Sequence, residues 1–117
     1  MIRVRVRIEG PTGRTNLICA LDTGATQSLI GVAPLVYVGY DPSIEPQRME
    51  MTTGSGVVYV PLVRLNRLTA LGETKTDFTV MGHTLPPTAH IDGLIGLDFL
   101  RDHQLNIDFL NGEVSLG

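Results

Sequence analysis

The chain has 117 residues, enough at roughly 100–200 residues per domain for one compact domain spanning 1–117 and too few for a second, which excludes two-domain enzymes. Apolar residues make up 43% and charged residues 18% of it, ordinary globular usage that argues against wholesale disorder. Nine Lys and Arg against twelve Asp and Glu leave a net charge of −3 and a pI near 5.5. That is the wrong sign for gripping a phosphate backbone, so no nucleic-acid partner is expected.

Taken in chain order, the first run is Ile2–Glu9, where Arg3, Arg5 and Arg7 alternate with Ile2, Val4, Val6 and Ile8. A period of two predicts a strand with one wet, arginine-bearing face. Met1 leads straight into it with no apolar core of a leader peptide, so a cytoplasmic location is expected. Gly10-Pro11-Thr12-Gly13 signals a turn into a second strand, Thr15–Leu21. Its Cys19 is the sole cysteine, so no intrachain disulfide can form and a reducing compartment suits the chain. Set among Leu17, Ile18, Ala20 and Leu21, it reads as a small buried hydrophobe rather than a reactive thiol. The apolar stretch Leu29 to Tyr40 is broken by Pro34 and falls short of the ~18–20 residues that span a bilayer, so no membrane partner is expected.

Further strands are predicted at Gln47–Thr53, Val57–Leu65 and Thr74–Val80, with turns at Gly54-Ser55-Gly56 and Leu71-Gly72-Glu73, so neighbours should pair as antiparallel hairpins. Gly82–Pro87 reads as a loop. Only Leu97 to Gln104 predicts a helix, with Leu97, Phe99 and Leu100 on one face and Arg101, Asp102 and Gln104 on the other. The alternating Leu105–Phe109, a two-residue Asn111-Gly112 turn and Val114 to Leu116 predict a terminal hairpin.

The segment richest in chemistry is Cys19-Ala20-Leu21-Asp22-Thr23-Gly24-Ala25. It places a carboxylate directly after an apolar strand, and Gly24 allows the chain to turn tightly behind it. Two readings stand side by side: Asp22 starts an Asx-turn or caps a short helix, or it is a working carboxylate.

Asp22-Thr23-Gly24-Ala25, with Leu29 and Ile30 beyond, resembles the active-site motif of the retropepsin-type aspartic proteases. Gly93-Leu94-Ile95-Gly96-Leu97-Asp98-Phe99-Leu100 resembles the apolar pair and glycine before that family's short helix, and the continuation to Asp108-Phe109 is similar to the retrotransposon version. Met51-Thr52-Thr53-Gly54-Ser55-Gly56-Val57 resembles its flap hairpin. The resemblance implies an all-β, closed-barrel-like fold with one short helix, acting as an aspartic endopeptidase on polypeptide substrates. It also implies a homodimer, because hydrolysis needs one carboxylate to deprotonate water and a second, protonated, to bind the scissile carbonyl, whereas this sequence has one Asp-Thr-Gly.

By the same resemblance Asp22 is catalytic, Thr23 cross-links the two active-site loops and Gly24 meets the substrate backbone beside Ala25. Thr53, Gly54, Ser55 and Gly56 form the flap over the substrate, and Leu94, Ile95 and Gly96 pass beneath the active site. The alternative is a catalytically silent dimerisation or protein-binding module of the same fold.

Other chemistries find less support. His83, His90 and His103 have no helical i, i+4 spacing and no cysteine cluster beside them, so no metal and no cofactor is expected. Ser28 and Ser55 lack a Gly-x-Ser-x-Gly elbow. Asp92, Asp98, Asp102 or Asp108 could in principle partner Asp22 within one chain, but Asp98 in the first turn of the short helix reads as a dipole partner.

Overall fold

Val4, Val6 and Ile8 are buried while Arg3, Arg5 and Arg7 are exposed, the alternation that the sequence demands of a sheet with one face on a core. The structure, a computed structural model, describes residues 1–117. Its strands are β1 (Arg3–Gly10), β2 (Gly13–Leu21), β3 (Leu29–Ile30), β4 (Arg48–Thr53), β5 (Gly56–Ala70), β6 (Glu73–Gly82), β7 (Gly93–Ile95), β8 (Leu105–Asp108) and β9 (Glu113–Leu116). Two helices, α1 (Val32–Tyr37) and α2 (Leu97–Leu100), and two 3-10 turns, Pro42–Ile44 and Pro87–Ala89, complete the chain.

The hairpins β1–β2, β4–β5, β5–β6 and β8–β9 pair antiparallel, as the turn signals require. β7 then inserts parallel to β2 and antiparallel to β3, β3 runs parallel to β6, and β1 pairs back onto β5. The ring β1-β2-β7-β3-β6-β5 therefore closes into a six-stranded barrel, with β4 carried outside it on β5. Closure removes the free strand edges that invite aggregation. Inside lie Val6, Ile8, Cys19, Ile30, Leu65, Leu68, Val80 and Ile95, joined by Leu35 of α1 and Phe99 of α2. No helix is long and apolar enough to cross a membrane.

Beyond the short strands β3 and β7 and their parallel pairings, which no sequence signal marked, the structure departs from the sequence-based expectation in four places. There are two helices, not one. α1 forms within the stretch that reads as merely apolar; Pro34 falls in its first turn, where a missing N–H costs nothing, and fully buried Leu35 and Val38 hold it down. α2 is shorter than expected and ends at Leu100, because Arg101 leaves the helical region and Asp102 takes a left-handed φ of 69°. Fully burying a side chain such as Phe99 is worth about 1.5–3 kcal/mol, and packing of this kind sustains a helix too short to persist by propensity.

Third, β5 runs 15 residues from Gly56 to Ala70, past the expected end at Leu65. Pro61 opposes Arg48, the first residue of β4, and from Leu62 onward β5 pairs with β6 instead. The proline thus stands where one partner strand gives way to the other. Fourth, the last hairpin turns through Phe109–Gly112 rather than through Asn111-Gly112 alone. Asp108 sets this longer turn by accepting hydrogen bonds from Leu110 N, Asn111 N and Asn111 Nδ2 at 2.8–3.1 Å. The Asn111 side chain, followed by its backbone N–H, holds the Asp108 carboxyl below the usual carboxylate range.

Candidate active site

Asp22 begins where β2 ends. Its N–H donates to Ile95 O on β7 at 2.9 Å, and Ala25 N donates back to Asp22 O at 3.2 Å, so the chain turns at once after leaving the sheet. The Gly24 N–H donates to Asp22 Oδ1 at 2.9 Å. The Asx-turn reading of Asp22 is therefore realised, and it fixes one carboxylate oxygen while the chain supplies no hydrogen bond to Oδ2. Asp22 is half-buried, Thr23 and Gly24 are exposed, and Ala25 is half-buried.

The loop from Asp22 to Ser28 is tied down by the segment Ile95–Asp98. Besides the Asp22–Ile95 bond, Leu97 N donates to Ala25 O at 2.8 Å, and Gly96 N donates to Ser28 Oγ at 3.0 Å. Asp98 accepts from Ser28 Oγ at 2.7 Å and from Ser28 N and Phe99 N at 2.9 Å. Gly96 allows this contact: a Cβ there would lie 2.7 Å from Ala25 O, a distance real Cβ atoms do not tolerate. Leu94 is half-buried and Ile95 fully buried, with β7 lying in the sheet between β2 and β3.

Ser28, which the sequence weighs only as a hydrolase nucleophile, is the one buried polar residue of the chain. A polar side chain directly before Leu29 and Ile30 was the available signal. Asp98 does more than face a helix dipole, since its two oxygens hold the loop. Of the four single-chain rivals, Asp98 is spent on Ser28 and Phe99, Asp92 Oδ2 accepts from Ile18 N at 2.9 Å and Asp108 holds the last turn, while Asp102 lines a pocket with Thr23.

Half-buried Thr53 and exposed Gly54, Ser55 and Gly56 form the tip of the β4–β5 hairpin, with Thr53 Oγ1 donating to Gly56 O at 3.0 Å. Gly56 has φ +128°, and a Cβ at Gly54 would meet nothing within 4 Å, so the tip stands free of the barrel. Along β4 the half-buried Met49 and Met51 alternate with exposed Arg48, Glu50 and Thr52. Between this strand and the Asp22 loop runs a groove of about 390 Å³ lined by Gly24, Ala25, Gln27, Met49, Met51 and Met81. The sequence did not single out Met49 or Met81, and Met51 entered only as the first residue of the flap-like segment. No three His, Cys, Asp or Glu side chains converge anywhere, and His103 Nε2 lies 3.0 Å from Lys75 Nζ.

A family model described as gag-polyprotein putative aspartyl protease matches residues 4–102. The chain belongs to that family. Its barrel is the retropepsin-like fold: the chain superposes on the crystal structure of a retropepsin-like aspartic protease from Rickettsia conorii with a TM-score of 0.62, covering 91% of this chain and 75% of that one at 15% identity. No curated protein matches the chain significantly in sequence. The family match takes in the Asp22 loop, the β4–β5 hairpin and the Gly93–Leu100 segment together.

Proposed function

We propose that the chain is an aspartic endopeptidase that works as a homodimer, with Asp22 of each copy supplying half of one catalytic pair. The observation that carries this reading is the Asp22 turn. The carboxylate accepts from Gly24 N through Oδ1 alone, in the loop whose Gly24 and Ala25 line the groove beside β4, while Asp92 and Asp98 are committed to other partners. On this reading the second carboxylate comes from another copy of the chain.

In the assembled pair, one ionised carboxylate takes a proton from water and the other, protonated, donates to the scissile carbonyl; two carboxylates about 3 Å apart share one proton for this purpose. Thr23 meets its counterpart loop across the dimer on this reading, which its exposure beside Asp22 supports. An extended polypeptide lies in the groove as an added strand, with its backbone along Gly24 and Ala25 and apolar side chains against Met49, Met51 and Met81. Thr53, Gly54, Ser55 and Gly56 close over it and exclude water.

The test is cleavage of an unfolded polypeptide by wild type and Asp22→Asn, with mass in solution measured on both. Wild type should cut at mildly acidic pH and Asp22→Asn should dimerise and be inactive. An intact wild-type dimer that cuts nothing at any pH identifies the chain as a binding module instead.

A further inference from the structure

A groove of about 760 Å³ lies away from Asp22 on the outward face of β1 and its neighbours, where Arg5, Arg7, Asn16, Ile18 and Thr69 line it. Residues directly opposite on paired strands share a face, and the register sets Arg5 against Ile18, Arg7 against Asn16 and Thr69, and Glu9 against Arg14 and Arg67. With Arg3, this gathers Arg3, Arg5, Arg7, Arg14 and Arg67 on one exposed surface, five of the nine Lys and Arg of a chain whose net charge is −3.

None of the five is neutralised. The one ion pair within 4 Å in the structure is Arg64–Asp77, at 3.5 Å. Glu9, between Arg14 and Arg67, is only half-exposed, and the one acidic side chain lining the groove, exposed Asp92, accepts from Ile18 N through Oδ2 and forms no ion pair with the five. Arginine cannot shed its charge in response.

We propose that this face docks an extended acidic segment of a partner polypeptide, one with carboxylates at alternate positions. Arg3, Arg5 and Arg7 repeat every two residues, about 6.6–6.8 Å along a strand. An extended peptide presents its own side chains on one face at the same repeat, so Glu or Asp at i, i+2 and i+4 can each meet one guanidinium in its bidentate geometry. Ile18, 40% exposed, gives an apolar floor beside that row.

Other occupants fit less well. The three Tyr and three Phe of the chain all lie outside β1, β2 and the Arg67–Ala70 end of β5, so the face offers no ring on which bases could stack, and the net charge of −3 opposes a long polyanion. A second copy is also unsuited, because no two of the twelve Asp and Glu are spaced two residues apart.

The test titrates the full chain into a dye-labelled peptide of sequence Glu-Thr-Glu-Thr-Glu-Thr, its Gln-Thr counterpart, an oligodeoxythymidine and phosphatidylserine vesicles. The acidic peptide should bind about tenfold tighter than the Gln peptide, the scale of several exposed ion pairs acting together, and should weaken with salt. The Arg5→Thr/Arg7→Thr variant should lose that preference, and Arg48→Thr/Arg64→Thr, which removes equal charge elsewhere, should keep it. In the wild type the peptide should shift the amide resonances of Arg3–Arg7 and Asn16–Ile18. Equal binding of the two peptides, shifts confined to other strands, an unchanged preference in Arg5→Thr/Arg7→Thr, or tighter binding of the oligonucleotide or the vesicles would each overturn the proposal.

Discussion

Ser28 and Asp98, 70 residues apart in sequence, share two hydrogen bonds: Ser28 Oγ to Asp98 Oδ1 at 2.7 Å and Ser28 N to Oδ2 at 2.9 Å. Ser28 Oγ also accepts from Gly96 N at 3.0 Å, in full burial. This one hydroxyl therefore couples the end of the Asp22 loop to both Gly96 and α2. Ser28→Ala leaves the Gly96 N–H buried without a partner, which should cost about 1–3 kcal/mol of stability. Urea unfolding at unchanged m-value measures it. A loss below about 0.5 kcal/mol, the scale of a neutral surface substitution, would show that the contact does not brace the loop.

Gly96 and Gly54 separate folding from turnover. Gly96→Ala drives a Cβ to 2.7 Å from the backbone of Ala25, whereas a Cβ at Gly54 meets nothing within 4 Å. Gly96→Ala should therefore lower the melting temperature and disturb the Asp22 loop. Gly54→Val should melt close to wild type yet cleave peptides more slowly, since a bulkier tip hinders closure over substrate. Peptide cleavage by Gly54→Val at the wild-type rate would reject a flap role for the hairpin.

Burial first, and the negative charge of Asp92 second, push the Cys19 thiol up to about 12. In an unfolded chain the same thiol ionises near pH 8.5. Between that point and about 12 the unfolded state binds fewer protons than the folded one, so stability falls as pH rises through this window and is untouched by the thiol below it. The group's share of the slope approaches about 1.4 kcal/mol per pH unit. Denaturant unfolding at stepped alkaline pH should show the decline, and Cys19→Ala, though less stable at neutral pH, should show a flatter one. Parallel slopes for the two proteins would exclude Cys19 as the cause.

Much of the barrel is legible from local signals. Alternation such as Arg3-Val4-Arg5-Val6 and the glycine-bearing turns fix the hairpins, because both act between residues close in sequence. The closing contacts are different. The parallel pairings of β7 with β2 and of β3 with β6 join two- and three-residue strands to distant partners, too short for any period to register. α1 is hidden for another reason: Val32, Val36 and Tyr37 are weak helix formers, and burial of Leu35 and Val38 decides the outcome. At the site, Asp22-Thr23-Gly24 and Gly96 are visible as a carboxylate before a tight turn and a close approach. The bond from Ser28 to Asp98 spans most of the chain, and the Met49, Met51 and Met81 wall combines two strands that do not touch in sequence.

Subunit mixing decides whether Asp22 acts in a shared pair. Asp22→Asn nearly preserves shape, and an amide nitrogen takes the place of Oδ1 or Oδ2. Oδ1 accepts from Gly24 N, a role the remaining amide oxygen can keep, so the variant should fold and associate. Loss of general acid–base chemistry should lower turnover by several orders of magnitude. When wild-type and variant chains exchange freely at constant total protein, a wild-type fraction f leaves both aspartates in about f² of two-fold dimers, and activity should follow that square. A complete site within each chain, with Asp92 or Asp98 as the partner of Asp22, would give activity proportional to f. The hydrogen bonds that commit those two residues to Ile18, Ser28 and Phe99 argue for the quadratic curve. A linear curve, with exchange confirmed by tagged chains, would reject the shared pair.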